Sequence, residues 1–126
     1  MKLVVFGLSL SSSWGNGHAT TYRALLRAFA RRGHEVVFYE WDAPWYGGAN
    51  RDLVDPSYCR LELYPDWSTV ETRALEEARE ADATMVGSYV RDGARVIDAL
   101  AGGGVDPLFF YDIDTPVTVA RLRREE

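Results

Sequence analysis

The chain has 126 residues, a net charge of −5 and one cysteine, Cys59. That length suits one domain with a buried core, and an acidic chain without a basic block excludes nucleic-acid binding through a general electrostatic footprint. A lone cysteine leaves no internal disulfide and no thiolate cluster, so the cytoplasm is the expected compartment, and the first apolar run is too short for a membrane span.

The elements alternate strand and helix. An apolar run, Lys2 to Leu10, predicts strand one. The polar, glycine-rich stretch Ser11-Ser12-Ser13-Trp14-Gly15-Asn16-Gly17-His18 follows. Tyr22, Leu25, Leu26 and Phe29 then fall on one stripe of a helix over residues 19–32. Gly33 closes it as the residue after the cap, and Arg31 and Arg32 suit the negative end of its dipole. Strand two runs from Glu35 to Trp41, and a long irregular stretch, Asp42 to Tyr58, comes next. Strand three is expected at 59–64. Ser68 and Glu71 have capping-box spacing for a second helix reaching residue 81. Strand four is expected at 83–89. Gly93, Val96, Ile97, Leu100 and Ala101 have helical spacing, closed by Gly102-Gly103-Gly104. Strand five is expected at 108–113. Thr115 and Pro116 read as the N-cap and first position of a last helix, and the absence of a stop signal suggests part of a longer protein.

This alternation predicts an α/β fold over residues 1–126: a Rossmann-like, doubly wound parallel sheet with helices on both faces. The expected order of the five strands is 3-2-1-4-5 in a three-layer α/β/α sandwich. Ligands then bind beyond the carboxyl ends of the strands, where strands one and four diverge.

Three groups of residues belong to that rim, and a fourth marks the long loop. Gly15, Asn16, Gly17 and His18 form a turn at a helix N-terminus, whose backbone N–H groups suit a phosphate or another anion. The same residues also make an ordinary strand-to-helix turn. A dinucleotide fingerprint would need glycine at Thr20, and a P-loop would need a following Gly-Lys-Ser/Thr, so neither is present. No acidic residue stands in the right place to hold a ribose: Glu40 ends strand two, but without the glycine fingerprint. His18 has the chemistry of a general base, and a helix N-terminus favours the neutral imidazole that a base requires. His34 reads as a surface residue.

Ser88, Tyr89 and Arg91 follow strand four. Arg91 has the fork that pairs with phosphate or carboxylate, and Asp92 is placed to cap the next helix. Strand five delivers Asp112 and Asp114 at its end. They form a D-x-D pair that either holds a divalent cation or serves helix capping and ion pairing. Trp41, Trp45, Tyr46 and Tyr58 mark the long loop with aromatic faces that suit a sugar or hold the loop down. Cys59 reads as a small buried hydrophobe. The acidic run Glu76-Glu77-Ala78-Arg79-Glu80 reads as a solvated helix face.

Taken together, Gly15-Asn16-Gly17-His18-Ala19, Gly33-His34-Glu35-Val36, Asn50-Arg51-Asp52-Leu53, Gly87-Ser88-Tyr89 with Asp92-Gly93, and Tyr111-Asp112-Ile113-Asp114-Thr115-Pro116-Val117-Thr118 carry a resemblance. The chain resembles the N-terminal half of GT-B glycosyltransferases, nearest to the bacterial spore-maturation and spore-coat type. The resemblance covers essentially the whole chain. It implies an acceptor-side domain facing a nucleotide-sugar-binding C-terminal domain across a cleft. It also implies transfer of a sugar from a nucleotide-diphosphate donor to an acceptor hydroxyl, with no bound metal and no other cofactor. Gly15, Gly17 and His18 would line that cleft. The donor domain is not within these 126 residues, so the chain alone is expected not to turn over. The alternative is a non-catalytic, flavodoxin-like module that binds a nucleotide or phosphate.

Overall fold

The computed structural model describes residues 1–113 and 115–125. In chain order the elements are β1 (Lys2–Phe6), α1 (His18–Arg31), β2 (Glu35–Trp41), β3 (Arg60–Tyr64), α2 (Trp67–Glu80), β4 (Ala83–Gly87), α3 (Gly93–Gly102), β5 (Leu108–Tyr111) and α4 (Thr115–Glu125). Two short 3-10 turns, Pro44–Tyr46 and Gly48–Asn50, break the loop after β2. All strand pairings are parallel, and the sheet order is β3-β2-β1-β4-β5, as the alternation predicts.

Strands covered on both faces need near-continuous apolar runs, and β1 and β2 supply them. Val5, Val36 and Phe38 face α1, where Tyr22 and Leu26 pack onto them. Val4, Phe6, Val37, Tyr39 and Val86 face the other way. There Trp67, Val70, Ala74 and Ala78 of α2 meet them together with Val96 and Leu100 of α3. The buried α1 and α2 positions recur at three- and four-residue intervals, so each helix presents one apolar stripe.

Several limits differ from the sequence reading. β1 stops at Phe6 instead of Leu10: after a last bond from the Gly7 N–H to the Tyr39 carbonyl (3.2 Å), the Leu10 and Ser11 N–H groups turn to the Glu40 carboxylate. Strands four and five likewise end two residues early, at Gly87 and Tyr111. The cap of α2 is Asp66, not Ser68. The Asp66 carboxylate accepts from the Thr69 N–H at 3.0 Å and the Ser68 hydroxyl at 2.6 Å, which sets Trp67 into the core as the first helical residue. Gly33 does follow the α1 cap in the left-handed region, at φ +83°.

The acidic run on α2 is only partly solvated. Glu77 is half-buried and accepts from Lys2 Nζ at 3.2 Å, the Tyr39 hydroxyl and Arg60. Ala78 belongs to the core, and Arg79 donates to the Gly103 carbonyl at 2.6 Å. His34 is half-buried, its Nδ1 3.1 Å from the N-terminal amine. Cys59, half-buried just before β3, packs against the α1-side core, and burial pushes its thiol up to about 11.

Candidate functional site

At the point where β1 and β4 diverge, the backbone is kept bare by glycine. A Cβ on Gly87 would lie 1.7 Å from the Tyr22 hydroxyl, and one on Gly7 would lie 2.4 Å from the Phe38 ring. These two glycines admit the ring of Tyr22, fully buried, between α1 and the sheet ends. Tyr22 in turn meets Phe38 and Tyr111, with centroids at 5.0 and 5.9 Å.

Above this floor lies an open cleft of about 500 Å³ lined by Leu8, Gly15, Asn16, Gly17, His18, Tyr89 and Ile113. The residues come from the carboxyl ends of β1, β4 and β5, which is the expected rim. The His18 and Tyr89 rings meet edge to face with centroids 5.4 Å apart. Tyr89 holds a left-handed backbone at φ +65°, as does Asp92 at +55°. Such conformations in residues other than glycine cost of order 1–3 kcal/mol and concentrate at functional sites.

The turn is built from its own side chains. Gly15 takes φ +67°, a left-handed conformation that favours glycine. Asn16 Oδ1 accepts from the N–H groups of His18 (3.0 Å) and Ala19 (3.2 Å), so it caps α1. Its Nδ2 lies 3.2 Å from the Ser12 carbonyl, the Trp14 carbonyl and the Tyr46 hydroxyl. Two of the helix N-terminal donors are therefore engaged by Asn16 and not bare. Gly17 differs from Gly15. Its φ is −97°, and a Cβ there would meet nothing within 4 Å. Neither backbone strain nor packing demands glycine at position 17.

The other expected site residues have other places. Ser88 is buried beneath the rim, its hydroxyl accepting the Ile113 N–H at 3.0 Å. It ties the loop after β4 to the loop after β5. Arg91 lies outside the cleft lining, with its guanidinium 4.0 Å above the Trp41 ring. Asp112 accepts from the Thr115 hydroxyl (2.5 Å) and the Thr118 hydroxyl (2.9 Å), so it anchors the start of α4. Asp92 occupies the N-cap position of α3 in a left-handed conformation and makes no side-chain cap bond. Asp114 lies outside the described residues. Among the described residues no group of three or more His, Cys, Asp or Glu could hold a metal ion.

Sequence reasoning missed the buried polar clamp behind the turn. Glu40 is fully buried and accepts from Leu10 N–H (2.6 Å), Ser11 N–H (2.9 Å) and the Ser11 hydroxyl (2.6 Å). Burial raises its carboxyl above the ordinary glutamate range, against the lowering effect of the Ser11 and Leu10 hydrogen bonds and the Arg51 charge. Arg51 Nε donates to the Ser11 hydroxyl at 3.0 Å, and its other end pairs with Asp42 at 2.9 Å. The Ser11 carbonyl accepts from Asp52 and Leu53, and the Ser12 hydroxyl donates to the Asn50 carbonyl. Asp52 is ion-paired with Arg23 at 2.6 Å and accepts from the Ser13 hydroxyl. The Arg23 hydrogen bond does most to hold the Asp52 carboxyl down at about 2. The serine run is thus the seam joining the turn to the loop over residues 42–58. A single acid inside the buried run Val-Val-Phe-Tyr-Glu-Trp was the available signal, since a buried charge must be met by donors. With its donors supplied from within the chain, Glu40 is unavailable to a ribose.

A separate apolar hollow of about 280 Å³ lies at the amino ends of the strands, among Leu3, Val5, Phe29, Met85 and Phe109, away from the rim. Among the described residues no helix is long and apolar enough to cross a membrane. In comparisons with known proteins, the chain significantly matches no family model, no curated protein and no solved structure.

Proposed function

We propose that this domain is the acceptor side of a GT-B-like glycosyltransferase, which moves a sugar from a nucleotide-diphosphate donor to an acceptor hydroxyl. The observation that carries the reading is the cleft itself. The glycine turn, His18 and the strained Tyr89 converge there from separate strand ends. In this reading His18 accepts the proton of the attacking hydroxyl. The N–H groups of Gly15 and Gly17, which Asn16 does not engage, position the reactants, and a partner domain contributes most of the stabilisation of the departing diphosphate.

The test is turnover by the protein expressed from its complete reading frame. It is incubated with UDP-glucose, UDP-N-acetylglucosamine, GDP-mannose and dTDP-rhamnose, each together with a panel of hydroxyl-bearing acceptors, and followed by release of nucleoside diphosphate above the acceptor-free control. His18→Ala is expected to lower kcat by about 10²–10⁴-fold, the usual span for a lost general base. Gly17→Val is expected to stay folded and lose activity. A His18→Ala enzyme with unchanged kcat refutes the assigned base. Binding of inorganic phosphate at the turn without any turnover favours the second reading, a flavodoxin-like phosphate- or nucleotide-binding module.

A further inference from the structure

Two tryptophans stand more than half exposed on the carboxyl rim, Trp14 at 54 % and Trp45 at 52 %. Neither backbone is loose. Trp45 sits in the 3-10 turn Pro44–Tyr46, and its carbonyl accepts from Asn50 Nδ2 at 2.9 Å. Its ring meets Trp41 and Tyr46 at steep angles, with centroids 5.2 and 6.0 Å away. Trp41 is fixed in turn by an indole hydrogen bond to the Pro65 carbonyl (2.9 Å) and by the Arg91 guanidinium over its ring. Trp14 donates its N–H to the Ser12 hydroxyl at 3.1 Å, and its carbonyl accepts from the Asn16 amide that also reaches the Tyr46 hydroxyl. One carboxamide therefore links the Trp14 backbone, Tyr46 and the cleft turn.

Donors stand beside this aromatic cluster: Asn50 on the Trp45 carbonyl and the Arg91 guanidinium on the Trp41 ring. Held aromatic faces edged by hydrogen-bonding groups match a pyranose, which offers an apolar C–H face and a rim of hydroxyls. A free phosphate has no use for the rings.

We propose that Trp45 and Trp14 form a saccharide-binding platform beside the cleft, and that the acceptor is therefore a carbohydrate. As an acceptor assignment this rests on the glycosyl-transfer reading, but the binding itself needs no turnover.

The 126-residue chain, labelled with ¹⁵N, is titrated with maltotriose, cellotriose and chitotriose while the four indole N–H signals are followed. The expected result is a saturable shift of the Trp14 and Trp45 signals by at least one trisaccharide, with the core Trp67 signal unmoved. Trp45→Ala should weaken that binding by about tenfold, the loss of one aromatic contact. Trp45→Tyr should restore part of it, and circular dichroism should show both variants folded. The proposal is overturned if no trisaccharide moves these signals, if a proline-rich peptide moves them instead, or if Trp45→Ala binds as the wild type does. Trp45-dependent binding without turnover would remove glycosyl transfer and leave the platform. Turnover that Trp45→Ala leaves intact on a saccharide acceptor would do the reverse.

Discussion

Replacing Glu40 with alanine removes the acceptor for three donors at once, in a place water does not reach. Leu10 and Ser11 are fully buried, and their N–H groups and the Ser11 hydroxyl lie 2.6–2.9 Å from the carboxylate. Breaking a buried charged cluster from one side costs about 3–5 kcal/mol, because the groups left behind stay desolvated and unpaired. For a chain of this size that corresponds to a fall in Tm of about 10–20 °C. Glu40→Gln keeps an oxygen for the two backbone N–H groups and loses only the acceptor for the hydroxyl, a cost of about 1 kcal/mol. Urea unfolding followed by circular dichroism should rank the chains as wild type, then glutamine, then alanine. The pH dependence supplies a second check. Burial raises the Glu40 carboxyl, so the folded state holds the proton more tightly than the unfolded chain. Wild-type stability should then fall as pH rises from the ordinary glutamate range through that raised value. Glu40→Gln should lack this slope, and its deficit should widen on acidification. An alanine variant within about 1 kcal/mol of wild type at every pH would refute the clamp.

Three further outcomes follow from the geometry. Gly87→Ala should cost about 3 kcal/mol by overpacking against Tyr22, and Tyr22→Phe should recover part of it in a double-mutant cycle by denaturant unfolding. Gly15→Ala should destabilise by about 1 kcal/mol through its positive φ, whereas Gly17→Ala should leave the unfolding midpoint unchanged. The Asp52 carboxyl, held down to about 2 chiefly by Arg23, contributes stability that is present above the ordinary aspartate range and lost as pH falls through about 2. Asp52→Asn should flatten that part of the acid-unfolding curve.

The sheet order was legible because each parallel strand is a short run of Val, Phe, Tyr or Leu separated from the next by a helical stripe. Gly33 marked the end of α1 through its backbone alone. Strand ends were less legible. Leu8 and Leu10 continue the apolar run of β1, yet the Glu40 carboxylate draws the Leu10 and Ser11 N–H groups out of the ladder. Hydropathy carries no record of such a tertiary acceptor. The same holds for Glu77, whose partners Lys2, Tyr39 and Arg60 come from three other segments. At the site, topology alone brings His18 to Tyr89. The stacking of Arg91 on Trp41 depends on how the chain turns after β4, where two left-handed residues redirect it.

The central claim is that a ligand meets this protein at the cleft between the glycine turn and Tyr89. Mapping backbone amide shifts of the 126-residue chain while adding UDP-glucose, inorganic phosphate and chitotriose tests it most directly. The account predicts that UDP-glucose or phosphate, on binding, shifts Gly15, Gly17, His18, Tyr89 and Ile113, and that chitotriose shifts Trp14 and Trp45 beside them. Saturable binding that leaves those five signals in place, and instead moves Leu3, Met85 and Phe109 at the amino ends of the strands, would contradict it.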